Sequence, residues 1–223
     1  MREIHLEQVL PADIEHRSFE IIGRELAEMG KRLDPELAPV IMRAIHTTAD
    51  FEYADSLVFT ADAVQRGKEA LKRGAVVITD TNMAWSGINK RKLEALGGEA
   101  LCFMADEDVA EAARKQGCTR AVASMEKAAE IYGREAEKED GSSRPCIFAV
   151  GNAPTALIRL YELIREGRLE PALIIGVPVG FVNVVQSKEL IISLKNTPSI
   201  VARGRKGGSN VAAAICNSLL YQL

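Results

Sequence analysis

Five consecutive residues, Ala75-Val76-Val77-Ile78-Thr79, form an apolar, β-branched run with no polar residue until Thr79. A strand with one wet face reads as strict alternation, whereas a strand covered on both faces reads as a continuous β-branched run. The pattern returns at Leu101-Cys102-Phe103-Met104, Cys146-Ile147-Phe148-Ala149-Val150, Leu173-Ile174-Ile175-Gly176-Val177 and Ser199-Ile200-Val201-Ala202. A weaker version occupies Arg120-Ala121-Val122-Ala123. Helical periodicity fills the intervals, over roughly 89–96, 106–116, 125–138, 154–166, 187–195 and 209–221. Doubly buried strands separated by helices specify an α/β fold: an open, mostly parallel sheet with helices on both faces, three layers in all.

An N-terminal helical segment precedes the sheet. Ile14, Phe19, Ile22, Leu26 and Met29 make one stripe, with Asp13 placed to cap its start and Gly30 to stop it. From Pro35 onward, Leu37, Val40, Ile41, Ala44 and Ile45 mark a second helix, and a third runs from about Thr60 to Arg73 with Gly74 after it. The charged stretch from Glu135 to Arg144 reads as a fraying helix end and exposed loop. A length of 223 residues suits a single domain spanning 1–223.

Charge excludes several functions. The net charge is −3, which gives no basic groove for nucleic acid. No apolar run approaches the roughly 20 residues a membrane span needs. Met1 to Leu6 lacks the form of a signal peptide, so a cytoplasmic location is expected. Cys102, Cys118, Cys146 and Cys216 show no C-x-x-C spacing and read as structural thiols without a metal site.

In open parallel sheets, ligands bind beyond the carboxyl ends of the strands. Four segments at those ends carry unusual residues. They are Asp80-Thr81-Asn82-Met83-Ala84-Trp85-Ser86-Gly87, Gly151-Asn152-Ala153-Pro154-Thr155, Gly176-Val177-Pro178-Val179-Gly180-Phe181 and Arg203-Gly204-Arg205-Lys206-Gly207-Gly208-Ser209-Asn210. The last leads from a strand through glycines into a helix start, a geometry that offers backbone N–H groups to an anion. It is neither a P-loop nor a dinucleotide fingerprint. Single loops of this kind are commonly tight turns, but four at one edge describe a broad, mostly neutral site with Arg and Lys at its margins.

His46 ends the second helix, just before Thr47-Thr48, β-branched residues expected to lie beyond the helix. A histidine there usually caps a helix; it can also point into a cleft and exchange a proton near neutrality.

These segments, in order, resemble the precorrin-8X methylmutase family, including its cobalt-precorrin-8 enzymes. The resemblance is carried by Glu15-His16-Arg17-Ser18-Phe19-Glu20-Ile21-Ile22, Arg43-Ala44-Ile45-His46, Gly151 to Leu157, Gly176 to Val182, Ser187-Lys188-Glu189 and Gly204 to Ser209. It implies a homodimeric isomerase of cobalamin biosynthesis that moves a methyl group from C11 to C12 of a corrin ring. Precorrin-8 would give hydrogenobyrinate, and cobalt-precorrin-8 would give cobyrinate. It implies no cofactor, since any cobalt would belong to the substrate; that neither nucleic acid nor membrane is a partner rests on the charge and apolar pattern above.

By the same resemblance the catalytic histidine falls on His46, with Thr47, Thr48 or Asp50 as candidates to orient it. Substrate-binding positions fall on Arg17, Ser18, Asp80, Met83, Thr119 and Arg120, with Gly151, Asn152, Thr155, Val179, Gly180, Lys188, Arg205, Gly208 and Ser209 from the loops. Lys188 and Arg205 could equally belong to structural salt bridges. Gln186 stands where the family pattern leads one to expect Glu. Two other readings are a non-catalytic tetrapyrrole carrier and an α/β enzyme holding a phosphorylated small molecule at Gly207-Gly208-Ser209.

Overall fold

Successive side chains along a strand point to opposite faces of the sheet, so each doubly buried run feeds two cores. The computed structural model describes residues 6–60, 62–133 and 144–223. Among these, the order is α1 (Ile14–Glu28), α2 (Ala38–Thr48), α3 (Tyr53–Ser56), β1 (Leu57–Phe59), α4 (Ala63–Lys72), β2 (Val76–Thr79) and α5 (Asn82–Gly87). Then follow α6 (Lys90–Ala95), β3 (Glu99–Leu101), α7 (Glu107–Gln116), α8 (Arg120–Tyr132), β4 (Cys146–Val150) and α9 (Pro154–Arg165). The chain closes with β5 (Leu173–Gly176), α10 (Val184–Ile192), β6 (Ser199–Ala202) and α11 (Ser209–Tyr221).

Val77, Ile147, Ala149, Leu173, Ile175 and Ile200 pack into one core with residues of α1, α2, α4 and α11. Their neighbours Val76, Ile78, Phe148, Val150, Ile174 and Val201 pack into the other with α7, α8, α9 and α10. The three-layer expectation is met. Strand order is β1-β6-β5-β4-β2-β3, parallel throughout except β1, which runs antiparallel to β6. The chain goes from β2 outward to β3, then returns to β4 on the other side of β2. The topological switch point therefore lies between β2 and β4. Gly30, Gly74 and Gly117 follow α1, α4 and α7 with φ of 71°, 72° and 64°, the left-handed stop that favours glycine.

Several expectations shift. Arg120-Ala121-Val122-Ala123 is the first turn of α8, not a strand: the Thr119 hydroxyl accepts the Val122 N–H and starts an alanine-rich helix. That helix ends at Tyr132 before Gly133, short of the expected 138. Residues 134–143, which include most of the stretch read as an exposed loop, lie outside the described residues. β3 pairs through Glu99, Ala100 and Leu101 instead of 101–104. β1 is a three-residue edge strand whose pattern is too short to announce itself. The segment after β2 is helix α5, capped by Thr81. Asp13 makes no side-chain cap at α1. α10 begins at Val184, earlier than 187, and ends at Ile192.

None of the four cysteines is in a disulfide, and burial pushes the Cys216 thiol up to about 12, leaving it inert. Among the described residues, no helix is long and apolar enough to cross a membrane.

Candidate active site

The switch point is closed by one carboxylate. Asp80, at the end of β2, is fully buried and accepts the N–H groups of Gly151 (2.9 Å), Asn152 (2.8 Å) and Ala153 (2.6 Å). Burial pushes its pKa up, and the three amide donors pull against that shift. The loop after β4 is thereby tied across the crevice to β2. Gly151 in turn lies against the start of α11, where a Cβ would sit 2.6 Å from the Ser209 Cα and 2.7 Å from the Gly208 oxygen. Gly151→Ala should therefore destabilise the protein by about 1–3 kcal/mol, the scale of overpacking, read from urea unfolding. A wild-type midpoint would show that this close approach relaxes freely.

The loops after β5 and β6 join the same edge. Gly208 donates to the Val177 carbonyl (2.9 Å), Gly180 donates to the Arg205 carbonyl (3.2 Å), and the Thr81 and Ser209 hydroxyls meet at 2.8 Å. Gly180, Gly207 and Gly208 have φ of 144°, 158° and 142°, and a Cβ on Gly207 would collide with the Val177 carbonyl. Beside this backbone, Val179, Phe181 and Val182 are exposed at 49%, 81% and 79%, with the Arg205 guanidinium 5.5 Å from the Phe181 ring centroid. Exposed apolar side chains next to glycine backbone suit a large flat ligand with an apolar face and a polar rim.

A second cationic margin lies across the switch point. The Thr119 and Thr155 hydroxyls meet at 3.0 Å, bringing the starts of α8 and α9 together. Arg120 begins α8 and is exposed, with no carboxylate partner among the described residues. A cation at the positive end of a helix is mildly unfavourable on its own, and an incoming anion relieves it.

His46 approaches from the other core. α2 and α11 run antiparallel: the Ser218 hydroxyl reaches the Pro39 carbonyl at one end, and Asp50 reaches Lys206 (2.6 Å) at the other. Contrary to expectation, Thr47 and Thr48 remain helical because their hydroxyls turn back onto the carbonyls of Arg43 and Ala44. Ala49 ends the helix with φ 54°. Asp50, held below the ordinary carboxylate range chiefly by its bond to Lys206, is likewise occupied. None of these three orients His46.

The surroundings of the imidazole come from α1. The Phe19 ring lies 5.3 Å from the exposed imidazole, Arg43 sits 4.8 Å over Phe19, and Arg43 donates to Glu15 (2.7 Å). Glu15 is lowered first by that hydrogen bond, and His46 adds a smaller electrostatic contribution. Phe19, Arg43 and Glu15 all fall in the motifs already singled out, but their mutual contact was not readable from them. The Thr81–Ser209 link was missed in the same way.

The structure thus unites Asp80, Gly151, Asn152, Thr155, Thr119, Arg120, Val179, Gly180, Arg205, Gly208 and Ser209 at one edge. Their roles divide. Asp80 and Ser209 are buried, with their side chains hydrogen-bonded to the loops they join. Lys188 is fully buried and donates to the Gly204 and Lys206 carbonyls, away from the rim and in no salt bridge among the described residues. Met83 is exposed on α5, while Trp85 is turned to the Ala100 carbonyl and Lys90. Gln186 is exposed on α10. Arg17 and Ser18 are not drawn in: Arg17 pairs with Glu7 and Glu20, and Ser18 bonds the Ile14 carbonyl. Arg17 also lies roughly 200° around α1 from Phe19, away from the face that meets His46.

Comparison with known proteins gives a consistent result. The family model for precorrin-8X methylmutase matches residues 13–222. The cobalt-precorrin-8 methylmutase of Salmonella typhimurium is 44% identical over 216 residues, covering 96% of this chain and 96% of its own. That of Priestia megaterium is 43% identical over 211 residues, covering 95% of this chain and 88% of its own. The crystal structure of a precorrin-8x methyl mutase from Thermus thermophilus superposes with a TM-score of 0.80 at 38% identity, covering 94% of this chain and 95% of that one.

Proposed function

The chain belongs to the precorrin-8X methylmutase family, and from that premise we propose that His46 drives the methyl shift of a corrin precursor held against the loop edge. The protein is an isomerase of cobalamin biosynthesis. In the 1,5-shift the C11–CH3 bond breaks, the C12–CH3 bond forms, and the ring's double bonds rearrange as one proton changes position. Electrons balance within the substrate, so no redox partner or bound cofactor is required. The protein must supply a proton donor at the ring and a rigid pocket complementary to the rearranged π system.

One observation carries this reading. His46 is an exposed imidazole backed by the Phe19 ring, with no hydrogen bond within the described residues, one turn before the Asp50–Lys206 tie to the loop edge. Its ring nitrogens are therefore available to a ligand. The apolar wall of Val179, Phe181 and Val182 suits the face of the macrocycle, and Arg120 and Arg205 suit its carboxylates. Arg120→Ala should raise the Kd for the product by about one to two orders of magnitude, the scale of a charge-assisted hydrogen bond, with a smaller effect at high salt. An unchanged Kd and salt slope would remove Arg120 from the rim.

The cobalt-containing ring is the favoured substrate, since the relatives at 43% and 44% identity carry that name. Incubation with each ring form, followed by the visible spectrum of the macrocycle, tests both reaction and preference. Turnover also separates an isomerase from a carrier, which would bind without converting. Stabilisation by inorganic phosphate alone would favour the phosphorylated-ligand reading instead.

We also propose a homodimer in which Arg17 serves the partner's site. Arg17 faces away from its own His46, and Leu6, Leu10 and Ile14 beside it are exposed. A two-fold interface would cover that apolar face and carry Arg17 across. Mixing inactive His46→Ala and Arg17→Ala chains should then restore one intact site in each heterodimer, about a quarter of wild-type activity at random mixing. Absence of recovery would assign both residues to one chain's own site.

A further inference from the structure

Lys188 is an unusual object: a lysine with no exposed surface and no carboxylate partner among the described residues. Its ammonium on α10 donates to the carbonyls of Gly204 (2.9 Å) and Lys206 (2.8 Å), two residues apart in the loop after β6. A buried ammonium without a counter-ion is costly, so the contacts that hold it there call for a reason. The loop's backbone geometry supplies one. Each peptide unit is planar and trans, so the N–H of one residue points opposite to the carbonyl before it. With both carbonyls turned toward Lys188, the N–H groups of Arg205 and Gly207 are turned to the other side of the loop. Neither N–H has an acceptor among the described residues. Between them, the Arg205 carbonyl accepts the Gly180 N–H (3.2 Å).

We propose that Lys188 is a positioning residue for substrate binding: it sets the peptide planes after Gly204 and Lys206 so that the Arg205 and Gly207 N–H groups receive a carboxylate of the ring periphery. This rests on the methylmutase reading for the identity of the anion, while the loop geometry stands apart from it. The positive charge also polarises both peptide units through their carbonyls, which strengthens the N–H donors on the far side.

The charge on Lys188 is open to titration, since burial lowers its pKa to about 8. The neutral amine keeps two N–H donors, so the loop retains its shape while the polarisation is lost. Asp50 and Glu52 are paired with Lys206, Arg203 is paired with Glu189, and Arg205 lies over Phe181. Tyr161 and Arg165 belong to the adjacent α9. Lys188 is the group whose buried amine is brought to about 8. Stability moves the other way. The folded chain holds this proton less tightly than the unfolded one, so rising pH between about 8 and the ordinary lysine range favours folding. Binding that weakens over the same window is therefore not unfolding.

The test uses the whole protein and two readouts. In the ligand-free wild type, the Arg205 and Gly207 amide resonances should shift with a midpoint near pH 8, and KM should rise severalfold across it. In Lys188→Met the titration should vanish, with KM about tenfold higher at pH 7 and kcat within about threefold. Should Lys188→Met fail to fold, the wild-type amide titration decides alone. Amides that do not titrate, or a variant with wild-type KM, would overturn the proposal. Titrating amides in a protein that converts neither ring form would uphold the loop geometry and sink the methylmutase reading instead.

Discussion

His46→Ala is expected to slow the methyl shift by about 10²–10⁴-fold, the range that positioned acid–base groups contribute, while the Kd for the product stays within about tenfold. The two effects separate because a proton donor acts mainly in the transition state, whereas the ring is held by the loop edge and the cationic rim. His46→Asn should do no better, since the amide keeps hydrogen-bonding capacity but has no transferable proton near neutrality. The histidine makes no hydrogen bond within the described residues, so its removal leaves no buried partner behind and folding should be nearly untouched. Near-normal turnover by either variant would show that the proton comes from elsewhere.

Asp80→Ala should produce the largest loss of stability of any single change at this edge, about 3–5 kcal/mol. It removes a fully buried carboxylate and strands three amides, those of Gly151, Asn152 and Ala153, that have nowhere else to donate. Asp80→Asn should recover only part of this, because the amide has one acceptor oxygen where the carboxylate has two. Denaturant unfolding of both variants measures the difference. Activity should fall alongside stability, since the β4 loop that carries Asn152 and leads to Thr155 would lose its tie to β2. A variant with wild-type stability would mean that the loop is held by its contact with Ser209 alone.

The aromatic backing of His46 extends these expectations. Phe19→Leu keeps the apolar bulk but removes the ring faced by both the imidazole and Arg43. It should lower kcat more than it raises KM, because it loosens the imidazole without touching the rim. Steady-state kinetics over both ring forms would show this split, and an equal change in both parameters would argue against a positioning role for Phe19.

Hydrophobic pattern alone determined the strands that matter to the site. Val76 to Thr79, Cys146 to Val150, Leu173 to Gly176 and Ser199 to Ala202 are doubly buried runs, and burial on both faces leaves only a covered parallel sheet as their environment. The C-terminal helix was legible to the residue, Ser209 to Tyr221, because glycine and a polar start precede the apolar run Val211 to Cys216. Glycine-rich segments beyond strand ends pointed to the right edge for the same local reason. Short or ambiguous patterns went the other way: Arg120 to Ala123 is apolar enough for a strand, yet Thr119 caps it into a helix.

What only the tertiary structure decided is the use made of each polar side chain. Asp80 was placed at the site by the family resemblance and Lys188 by its charge as well, but burial of a single residue is not legible in a sequence. Their partners lie 71 to 73 residues away for Asp80 and 16 to 18 away for Lys188, as backbone amides and carbonyls with no sequence signature. His46 was legible as the residue to watch, but Thr47 and Thr48 satisfied themselves within their own helix, and its neighbours came from α1. Local sequence sets which face of an element is apolar. Which atoms meet across the sheet's edge depends on how the elements pack, and that is where a buried charge acquires its role.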